Sequence, residues 1–307
     1  MSAMIEKLRA CHVVALIAIH NRIDYTRRCL TALKISAEGH NLTVIIVDDG
    51  STDGSSEWLA AQGPDVTVLK GDGTLWFGGA LQWALQEAKV RFPCCDYILT
   101  INNDTFLRPG ALAAMIRASD GHASVGATFW IEDRQVLGSS GLTWAWLSGP
   151  RDFVLTEKFH IAQRSGERAF VEVDVLATTA ALFPARFCFT VPGIDVQRHP
   201  HNRADICLTS QIRRAGSPFV VATYVIADHV YGPAGSRYSV RKLAFRDFLY
   251  YSFIDRIQPS NLPLSLLSLW MAAPTRLRAL PVMGMRVLVF FRQLLGVTFL
   301  NLVRALR

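Results

Sequence analysis

The chain has 307 residues, enough to bury the core of one large α/β domain and a smaller appendage. Half of the residues are hydrophobic and only 19% are charged, which excludes an intrinsically disordered protein. The mean hydropathy of +0.24 indicates membrane contact or an unusually apolar region. The net charge of +7 is compatible with nucleic acid, anionic lipid or a phosphorylated ligand as the partner, so the position of the charge matters more than its total.

The positive charge is concentrated at the C-terminal end. Between Arg237 and Arg307, eleven basic residues stand against two acidic ones, a balance of +9 that exceeds the excess of the whole chain. These basic residues alternate with long apolar stretches and do not lie on a polar face studded with aromatic side chains. We therefore expect no nucleic-acid partner.

The cysteines and the N-terminus indicate a reducing compartment. The six cysteines form no C-x-x-C pair and have no spacing typical of a disulfide framework. The first apolar run, residues 13–19, is short and has no small-residue cleavage site after it, so a strand explains it better than a signal peptide. The expected location is cytoplasmic.

Short apolar runs alternate with helical patterns through the first 120 residues. The predicted strands span residues 13–19, 42–47, 66–69 and 97–101, and the predicted helices span residues 25–35, 55–62 and 78–90. Pro109 is predicted to lie in the first turn of the next helix. This alternation predicts an α/β fold with a mostly parallel sheet, right-handed crossovers and flanking helices.

Polar clusters follow three of the predicted strands, at residues 20–22, 48–51 and 102–104. In parallel sheets ligands bind beyond the carboxyl ends of the strands, so these clusters are expected to converge on one nucleotide site. The sequence has no G-x-G-x-x-G motif after a strand and no P-loop, which argues against a dinucleotide-binding or P-loop protein.

Two of these clusters contain acidic residues. Asp48 and Asp49 can accept hydrogen bonds from a base N–H or from ribose hydroxyls, although the same residues also suit a turn and a helix cap. Asp104, which follows Asn102 and Asn103, suits a divalent ion shared with a diphosphate. The alternative for this second cluster is an Asx turn before Pro109.

Several of these segments, taken in order, resemble glycosyltransferase family 2, a family of inverting enzymes with the GT-A fold. Residues 47–53, with the sequence VDDGSTD, resemble its donor-binding motif, and residues 17–22 resemble its first strand, with His20 in place of the usual tyrosine. Residues 71–80 resemble a glycine- and tryptophan-rich stretch of a bacterial, rhamnosyltransferase-like branch. Residues 102–105 are similar to the Asp-x-Asp position, and the resemblance covers roughly residues 12–230.

The resemblance implies a set of site residues and a cofactor. It implies a divalent metal, Mg²⁺ or Mn²⁺, held by Asp104 and, as in some relatives, by His229, although a histidine after an apolar strand is more often structural. The implied donor-binding residues are His20, Asn21, Arg22, Asp48, Asp49, Gly73, Trp76, Asn102 and Asn103.

In the second half, the residue that matches the general base of the family is Asp205. It stands at the start of a predicted helix, residues 206–215, closed by Gly216. A carboxylate at this place would take the proton of an acceptor hydroxyl, and its structural alternative is the N-cap of the helix. Cys207 and Gln211 depart from the acid and arginine of many relatives, which leaves a catalytically silent binding or assembly subunit as the alternative function.

The segment 237–307 is predicted to form basic, apolar helices. Three prolines interrupt residues 257–275, and Arg286 and Arg292 would be costly at the centre of a bilayer. We therefore expect amphipathic helices on the membrane surface, with packing on the catalytic domain or on a second subunit as the alternative.

These features predict two parts and one activity. Residues 1–236 are expected to form the glycosyltransferase domain, with a donor half of about residues 1–120 and an acceptor half of about residues 121–236. The expected activity is metal-dependent transfer of a sugar, with inversion, from a nucleoside-diphosphate sugar to a glycan or lipid-linked acceptor in cell-surface polysaccharide synthesis. The expected location is the cytoplasmic face of the membrane, where the chain could also form a homo-oligomer.

Overall fold

The computed structural model of the protein describes residues 10–166, 168–231, 243–257 and 260–305. The predicted domain boundary after residue 236 lies outside these residues, as do four of the basic residues of the tail, namely Arg237, Arg241, Lys242 and Arg307.

Strands and helices alternate through the first half of the chain, because uninterrupted runs of Val, Ile and Leu form strands that are buried on both faces. In chain order the elements are β1 (His12–Ile19), α1 (Ile23–Ser36), β2 (Asn41–Asp49), α2 (Ser55–Ala60), β3 (Val66–Gly71), α3 (Trp76–Arg91), β4 (Tyr97–Ile101), β5 (Thr105–Leu107) and α4 (Ala111–Ser119).

The second half mixes short strands with helices. It contains β6 (Ser124–Ile131), β7 (Val136–Ser139), β8 (Gly141–Ala145), β9 (Gly149–Asp152), a 3₁₀ helix (Phe153–Leu155), α5 (Glu157–Ser165), β10 (Phe170–Glu172), β11 (Val175–Leu176), β12 (Ala180–Pro184), α6 (Ala185–Thr190), α7 (Ala204–Arg214) and β13 (Phe219–His229). The C-terminal helices are α8 (Phe245–Phe253), α9 (Leu262–Ala272) and α10 (Arg276–Ala305).

The main sheet has the order β10-β13-β6-β12-β4-β1-β2-β3, with β5 paired to β13 and β7 to β6. The run β3-β2-β1-β4 is parallel throughout, and so is the pair β6-β13, while β12 runs antiparallel between them. Buried clusters cover both faces, one with residues of α1 and α4 and the other with residues of α3 and α7. The predicted α/β class and its mostly parallel sheet are confirmed.

The register of the parallel strands fixes where the site forms. Ile19 of β1 lies opposite Asp48 of β2, and Asp49 lies opposite Gly71 of β3. The carboxyl ends of β1, β2 and β3 therefore end side by side at one edge of the sheet.

A second, three-stranded sheet of β11, β8 and β9 supports the C-terminal helices. Trp144 of β8 and Val175 of β11 share a buried cluster with Ala272 of α9 and Val282 of α10. α9 and the first half of α10 thus pack on the rest of the protein, which is the alternative expected for the tail.

The outer face of α10 remains apolar and exposed. Among the described residues, one helical segment is long and apolar enough to cross a membrane. It is Arg276–Phe299 of α10, which has 24 residues and a mean hydropathy of 1.5. The exposed apolar side chains on this helix are Leu277, Leu280, Met285, Leu288, Phe291, Leu295 and Phe299.

The structure differs from the sequence analysis at one predicted helix start, one strand that was not predicted and one alternative role. The helix predicted to include Pro109 begins at Ala111, because Gly110 adopts a left-handed conformation before it. The sequence did not predict β5, a three-residue strand that forms through its pairing with β13. Asp205 is not the N-cap of α7, since Arg203 occupies that position.

Candidate functional site

Arg22, Asp104 and His229 meet at the edge of the sheet although they are far apart in sequence. Nη1 of Arg22 donates a hydrogen bond of 2.9 Å to Oδ2 of Asp104. Oδ1 of the same carboxylate lies 3.6 Å from Nδ1 of His229, which itself lies 2.8 Å from the hydroxyl of Thr105. The pairing of β5 with the end of β13 produces this contact, because it sets Thr105 opposite His229.

The protonation of this pair is set mainly by burial. Burial raises the pKa of Asp104, against the opposing effects of His229 and Arg22, and it lowers the pKa of His229. A lowered pKa keeps the imidazole of His229 uncharged at neutral pH, which is the form of histidine that binds a metal.

The turn from Asn102 to Thr105 has oxygen atoms that suit a hard cation. The N–H of Thr105 donates to the carbonyl oxygen of Asn102 over 3.1 Å, so the backbone makes a turn here without the side chain of Asn102, and this is not the Asx turn given as the alternative. Oδ1 of Asn102 and Oδ1 of Asp104 are both buried without a hydrogen-bond partner, and carboxylate and amide oxygens are ligands for Mg²⁺ and Mn²⁺. No group of three or more His, Cys, Asp or Glu side chains that could hold a metal occurs in the described part of the chain. Any ion here would therefore share ligands with a substrate.

Asn103 has a structural role in the same turn. Its side chain is buried, and its Nδ2 donates to the hydroxyl of Thr26 on α1 over 3.1 Å. Asn21, on the β1 side, accepts a hydrogen bond from the N–H of Thr52 over 2.9 Å, and its own N–H donates to the hydroxyl of Ser51 over 2.7 Å. These two asparagines join the turns around the site to one another.

Asp49 anchors the loop before α3. Its Oδ1 accepts the N–H of Gly73 at 2.8 Å and of Leu75 at 3.3 Å, and its Oδ2 accepts the N–H of Trp76 at 2.9 Å. A carboxylate at the N-terminus of α3 also interacts favourably with the helix dipole. Asp49 therefore positions the loop and the first residue of α3 together.

Asp48 stabilises the turn that follows β2. It is almost completely buried, its Oδ1 accepts the N–H of Ser51 at 3.0 Å, and its Oδ2 accepts the hydroxyl of Ser56. The turn predicted for Asp48 is present, and it coexists with the position of Asp49 at the edge of a cavity.

A cavity of about 310 Å³ opens where β1 and β2 end. His20 closes one side of it, with Nδ1 donating to the carbonyl oxygen of Asp49 over 2.7 Å. Its lining residues are Ala18, Ile19, His20, Asp49, Gly73, Trp76, Phe77, Ala80 and His201. Apolar walls with a few polar groups are typical of small-molecule sites.

Backbone strain is concentrated around this cavity. Six non-glycine residues of the described part have a positive φ, and four of them lie in the loops or at the helix starts of the candidate site, namely Asn21, Arg22, Trp76 and Arg203. A left-handed conformation is costly for such residues and is retained where the surrounding contacts hold it, which is common at ligand-binding sites.

The loop before α7 is attached to the N-terminus of α3. The N–H of Gly78 donates to the carbonyl oxygen of Pro200 over 2.7 Å, and a side chain at Gly78 would overlap the carbonyl oxygen of His199. The rings of Trp76 and His201 meet edge to face with their centroids 5.7 Å apart. The N-terminal half of the chain thus contacts the loop that leads into α7, the helix that carries Asp205.

Asp205 is the second residue of α7 and is half-buried. Its Oδ1 accepts the N–H of Ile206 at 2.8 Å. Burial raises the pKa of this carboxyl, while the nearby charge of Arg203 lowers it. A carboxylate with a raised pKa is a stronger base, which is the property that proton removal from a hydroxyl requires.

Comparison with known proteins agrees with this geometry. The family model described as Glycosyl transferase family 2 matches residues 14–172, more than half of the chain. The chain belongs to glycosyltransferase family 2. Among curated proteins, none matches the sequence significantly.

Two solved structures have a similar fold. The structure of GalNAc-T7 with UDP, GalNAc and Mn²⁺ superposes with a TM-score of 0.56 and 12% identity, over 80% of this chain and 50% of that chain. This chain therefore spans half the length of that protein. The structure of S. aureus TarS 1–349 in complex with UDP gives a TM-score of 0.56 and 11% identity, over 90% of this chain and 70% of that chain. At these identities the likeness establishes the GT-A fold.

The family departures at Cys207 and Gln211 have a structural consequence. Nε2 of Gln211 donates to the carbonyl oxygen of Gly193 over 2.6 Å, and its Oε1 accepts the N–H of Gly193 at 3.2 Å. The thiol of Cys207 accepts the N–H of Asp195 at 3.5 Å. Both side chains therefore hold the loop before α7 and present no charged group there.

The structure brings most of the predicted donor and metal residues to one edge of the sheet, with Asp205 reached through the loop before α7. Sequence reasoning missed the contact of His201 with Trp76 and the role of Thr105 beside His229. The position of His201 four residues before Asp205 was the available signal, but nothing local indicated that its ring faces α3.

Proposed function

We propose that this protein is a metal-dependent, inverting glycosyltransferase of the rhamnosyltransferase-like bacterial branch. It transfers a sugar from a nucleoside-diphosphate sugar to a hydroxyl of a glycan or lipid-linked acceptor in cell-surface polysaccharide synthesis. The main support is the contact of Asp104 with both Arg22 and His229, together with the cavity at the ends of β1 and β2.

The cavity is the proposed site of the nucleoside. Trp76 is 45% exposed at its edge and offers an aromatic face to a base, while His20 and Asp49 supply polar groups. Both carboxylate oxygens of Asp49 accept hydrogen bonds from the loop before α3 and the first residue of α3, so Asp49 acts on the donor chiefly by fixing Gly73 and Trp76.

The diphosphate is proposed to lie beside Asp104. The residues that would hold the metal are Asp104 and His229, with Oδ1 of Asn102 as a further ligand. A bound divalent ion would offset the charge that develops on the departing nucleoside diphosphate. Arg22, paired to the other oxygen of Asp104, keeps that carboxylate oriented and adds positive charge.

Asp205 is the proposed base. The acceptor hydroxyl attacks the anomeric carbon of the sugar, the bond from that carbon to the diphosphate oxygen breaks, and the hydroxyl proton passes to the carboxylate of Asp205. A single displacement from the face opposite the leaving group inverts the anomeric centre. The raised pKa of Asp205 supports this role, since it favours acceptance of the proton.

The test uses the purified full-length protein. We expect UDP or another nucleoside diphosphate to raise its Tm, and to raise it further with Mn²⁺ or Mg²⁺, because a ligand that binds only the folded state stabilises it. We also expect transfer or slow hydrolysis of the matching sugar nucleotide. Donor binding without either reaction would indicate the silent binding subunit instead.

The second part of the proposal concerns location. We infer that the exposed apolar face of α10 rests on the cytoplasmic surface of a membrane, with arginines near anionic headgroups. Leu295 is 70% exposed on this face, and Leu155, which is 73% exposed on the 3₁₀ helix, provides a matched control.

Vesicle flotation tests this location. Wild type is expected to bind anionic vesicles more strongly than neutral ones, and more weakly at high salt. Leu295→Ser should lower vesicle binding by roughly tenfold, the effect of one buried leucine, and Leu155→Ser should not. Equal loss in both variants, or no vesicle binding by wild type, would contradict the inference.

A further inference from the structure

A second cavity, of about 450 Å³, lies between the beginning of α7 and the C-terminal helices. Its walls are mostly apolar and include Leu147, Ile206, Leu269, Val282, Met285 and Val289. Two arginines, Arg203 at the N-cap of α7 and Arg286 of α10, also line it.

The two guanidinium groups are close enough to affect one another. Burial, together with the charge of Arg286, lowers the pKa of Arg203 to about 10, while the charge of Asp205 opposes this change. Nη2 of Arg203 donates a hydrogen bond to the hydroxyl of Ser265 on α9, which fixes the orientation of the guanidinium group. Two like charges beside an apolar cavity are costly, and an anion between them would stabilise both.

Phosphate is the anion that best matches this arrangement. Guanidinium groups bind phosphate oxygens in a bidentate manner, with charge-assisted hydrogen bonds. The apolar walls would not strengthen the binding of a free phosphate ion, and the arginines would not strengthen the binding of an uncharged lipid. The combination suits a phosphate that carries an apolar chain.

The mouth of the cavity provides a path for such a chain. Met285 of α10 and Leu147, between β8 and β9, both line the cavity and are 42% and 54% exposed. Along α10 the exposed apolar face continues from Met285 through Leu288. A chain leaving the cavity would therefore meet apolar surface.

The cavity lies next to the proposed catalytic centre. The loop before α7 separates the two cavities, since His201 lines the donor cavity and Arg203 lines the second one. Asp205 follows two residues later, and its charge acts on Arg203. A molecule held in the second cavity would be near the base.

We propose that this second cavity binds the phosphate-bearing end of an acceptor with an apolar chain, and that Arg203 and Arg286 hold the phosphate. This inference rests on the proposed transferase function and specifies its acceptor as a phosphate-linked lipid. The phosphate would fix the position of the acceptor, and Asp205 would take the proton from its hydroxyl.

The experiment measures binding of three probes to the full-length protein by thermal stabilisation and calorimetry: farnesyl phosphate, farnesol and inorganic phosphate. Wild type should bind farnesyl phosphate at least tenfold more tightly than either of the others. Arg286→Gln should weaken farnesyl phosphate binding at least tenfold, with binding of farnesol unchanged. Arg292→Gln, at an exposed position of the same helix, should leave the affinities for all three probes unchanged.

A second pair of variants covers the case in which Arg286→Gln does not fold. Leu147 is exposed at the mouth of the cavity, so Leu147→Asp and its neutral isostere Leu147→Asn should both fold. Leu147→Asp should bind farnesyl phosphate several times more weakly than Leu147→Asn, because the added carboxylate repels the phosphate.

Three outcomes would overturn the inference. Equal affinity of wild type for farnesyl phosphate and farnesol would indicate apolar contact alone. Inorganic phosphate binding as tightly as farnesyl phosphate would indicate a site for a free anion. Equal affinity of Leu147→Asp and Leu147→Asn would place the phosphate elsewhere. Stabilisation by UDP, measured in parallel, separates failure of this inference from failure of the transferase proposal.

Discussion

Gly78 donates its backbone N–H to the carbonyl oxygen of Pro200 over 2.7 Å, and this bond fixes the loop before α7 against the first turn of α3. The contact needs glycine because an added Cβ would lie 2.8 Å from that carbonyl oxygen and would overlap that of His199. The donor cavity and the loop that leads to Asp205 therefore depend on one close approach of two backbones.

Gly78→Ala should lower the free energy of unfolding by about 2 kcal/mol, since neither carbonyl group can move away without losing the contact. It should also weaken stabilisation by UDP, because Trp76 and His201 would separate. Gly79→Ala is the control, because its Cβ would lie 3.3 Å from the Cβ of Leu75, a contact that a shift of a few tenths of an ångström relieves. Chemical denaturation should place that variant within about 0.5 kcal/mol of wild type, and equal losses in both variants would argue against the role of this contact.

Asp49→Asn should lower stability by about 1–3 kcal/mol and weaken UDP binding. The amide keeps one acceptor oxygen, but its NH₂ group would face either the N–H of Trp76 or the N–H of Gly73, so a buried hydrogen bond is lost. Asp72→Asn, at an exposed position of the same loop, should have little effect. Urea denaturation and calorimetry with UDP measure both quantities. If Asp49→Asn changed neither stability nor UDP binding, the loop would hold its shape without this carboxylate.

Asp104→Asn should remove the increase in Tm that Mn²⁺ adds in the presence of UDP. Oδ1 of Asp104 is buried without a hydrogen-bond partner, which makes this carboxylate the strongest candidate ligand of the metal. The amide of the variant carries no charge to attract the ion. Asp228→Asn, which breaks the exposed ion pair with Arg108, should keep the increase. The measurement is thermal unfolding with UDP, with and without the metal. A full Mn²⁺ effect in Asp104→Asn would remove this residue from the metal site.

Asp205→Asn should lower kcat for transfer by about 10²–10⁴-fold while leaving the affinity for UDP unchanged. The amide can still accept the N–H of Ile206 but cannot take a proton from the acceptor. Asp65→Asn, at an exposed position remote from the site, should leave both quantities unchanged. Normal turnover by Asp205→Asn would exclude it as the base.

The same variant should be more stable than wild type at pH 8 and should have the higher Tm. Burial raises the pKa of Asp205 in the folded state, so the folded protein binds this proton more tightly than the unfolded chain does. At low pH, below the pKa of about 4 that an aspartate has in the unfolded chain, Asp205 is protonated in both the folded and the unfolded state. It then does not lower the stability of the folded state. As the pH rises through the folded pKa, the buried charge appears and wild type loses stability relative to Asp205→Asn. A difference in Tm that grew towards low pH would contradict the raised pKa.

The sequence predicted the parallel part of the sheet because its strands are encoded locally. The short, β-branched apolar runs before His20, Asp48 and Asn102 favour buried strands, and parallel strands bring their carboxyl ends to one edge. The mixed pairing of β12 with β4 and β6 could not be predicted, because it depends on where distant strands insert and not on any local pattern.

By itself, then, the sequence determined which residues stand at the ends of the strands and that Asp205 begins a helix. Only the tertiary structure decided what these residues contact. His229 meets Thr105 across 124 positions because β5 forms through its pairing with β13, and Asp49 binds the backbone of Gly73 and Trp76 instead of facing the cavity freely. Strand formation follows from local hydrophobic pattern, whereas the partner of a polar side chain is fixed by packing between segments that are distant in sequence.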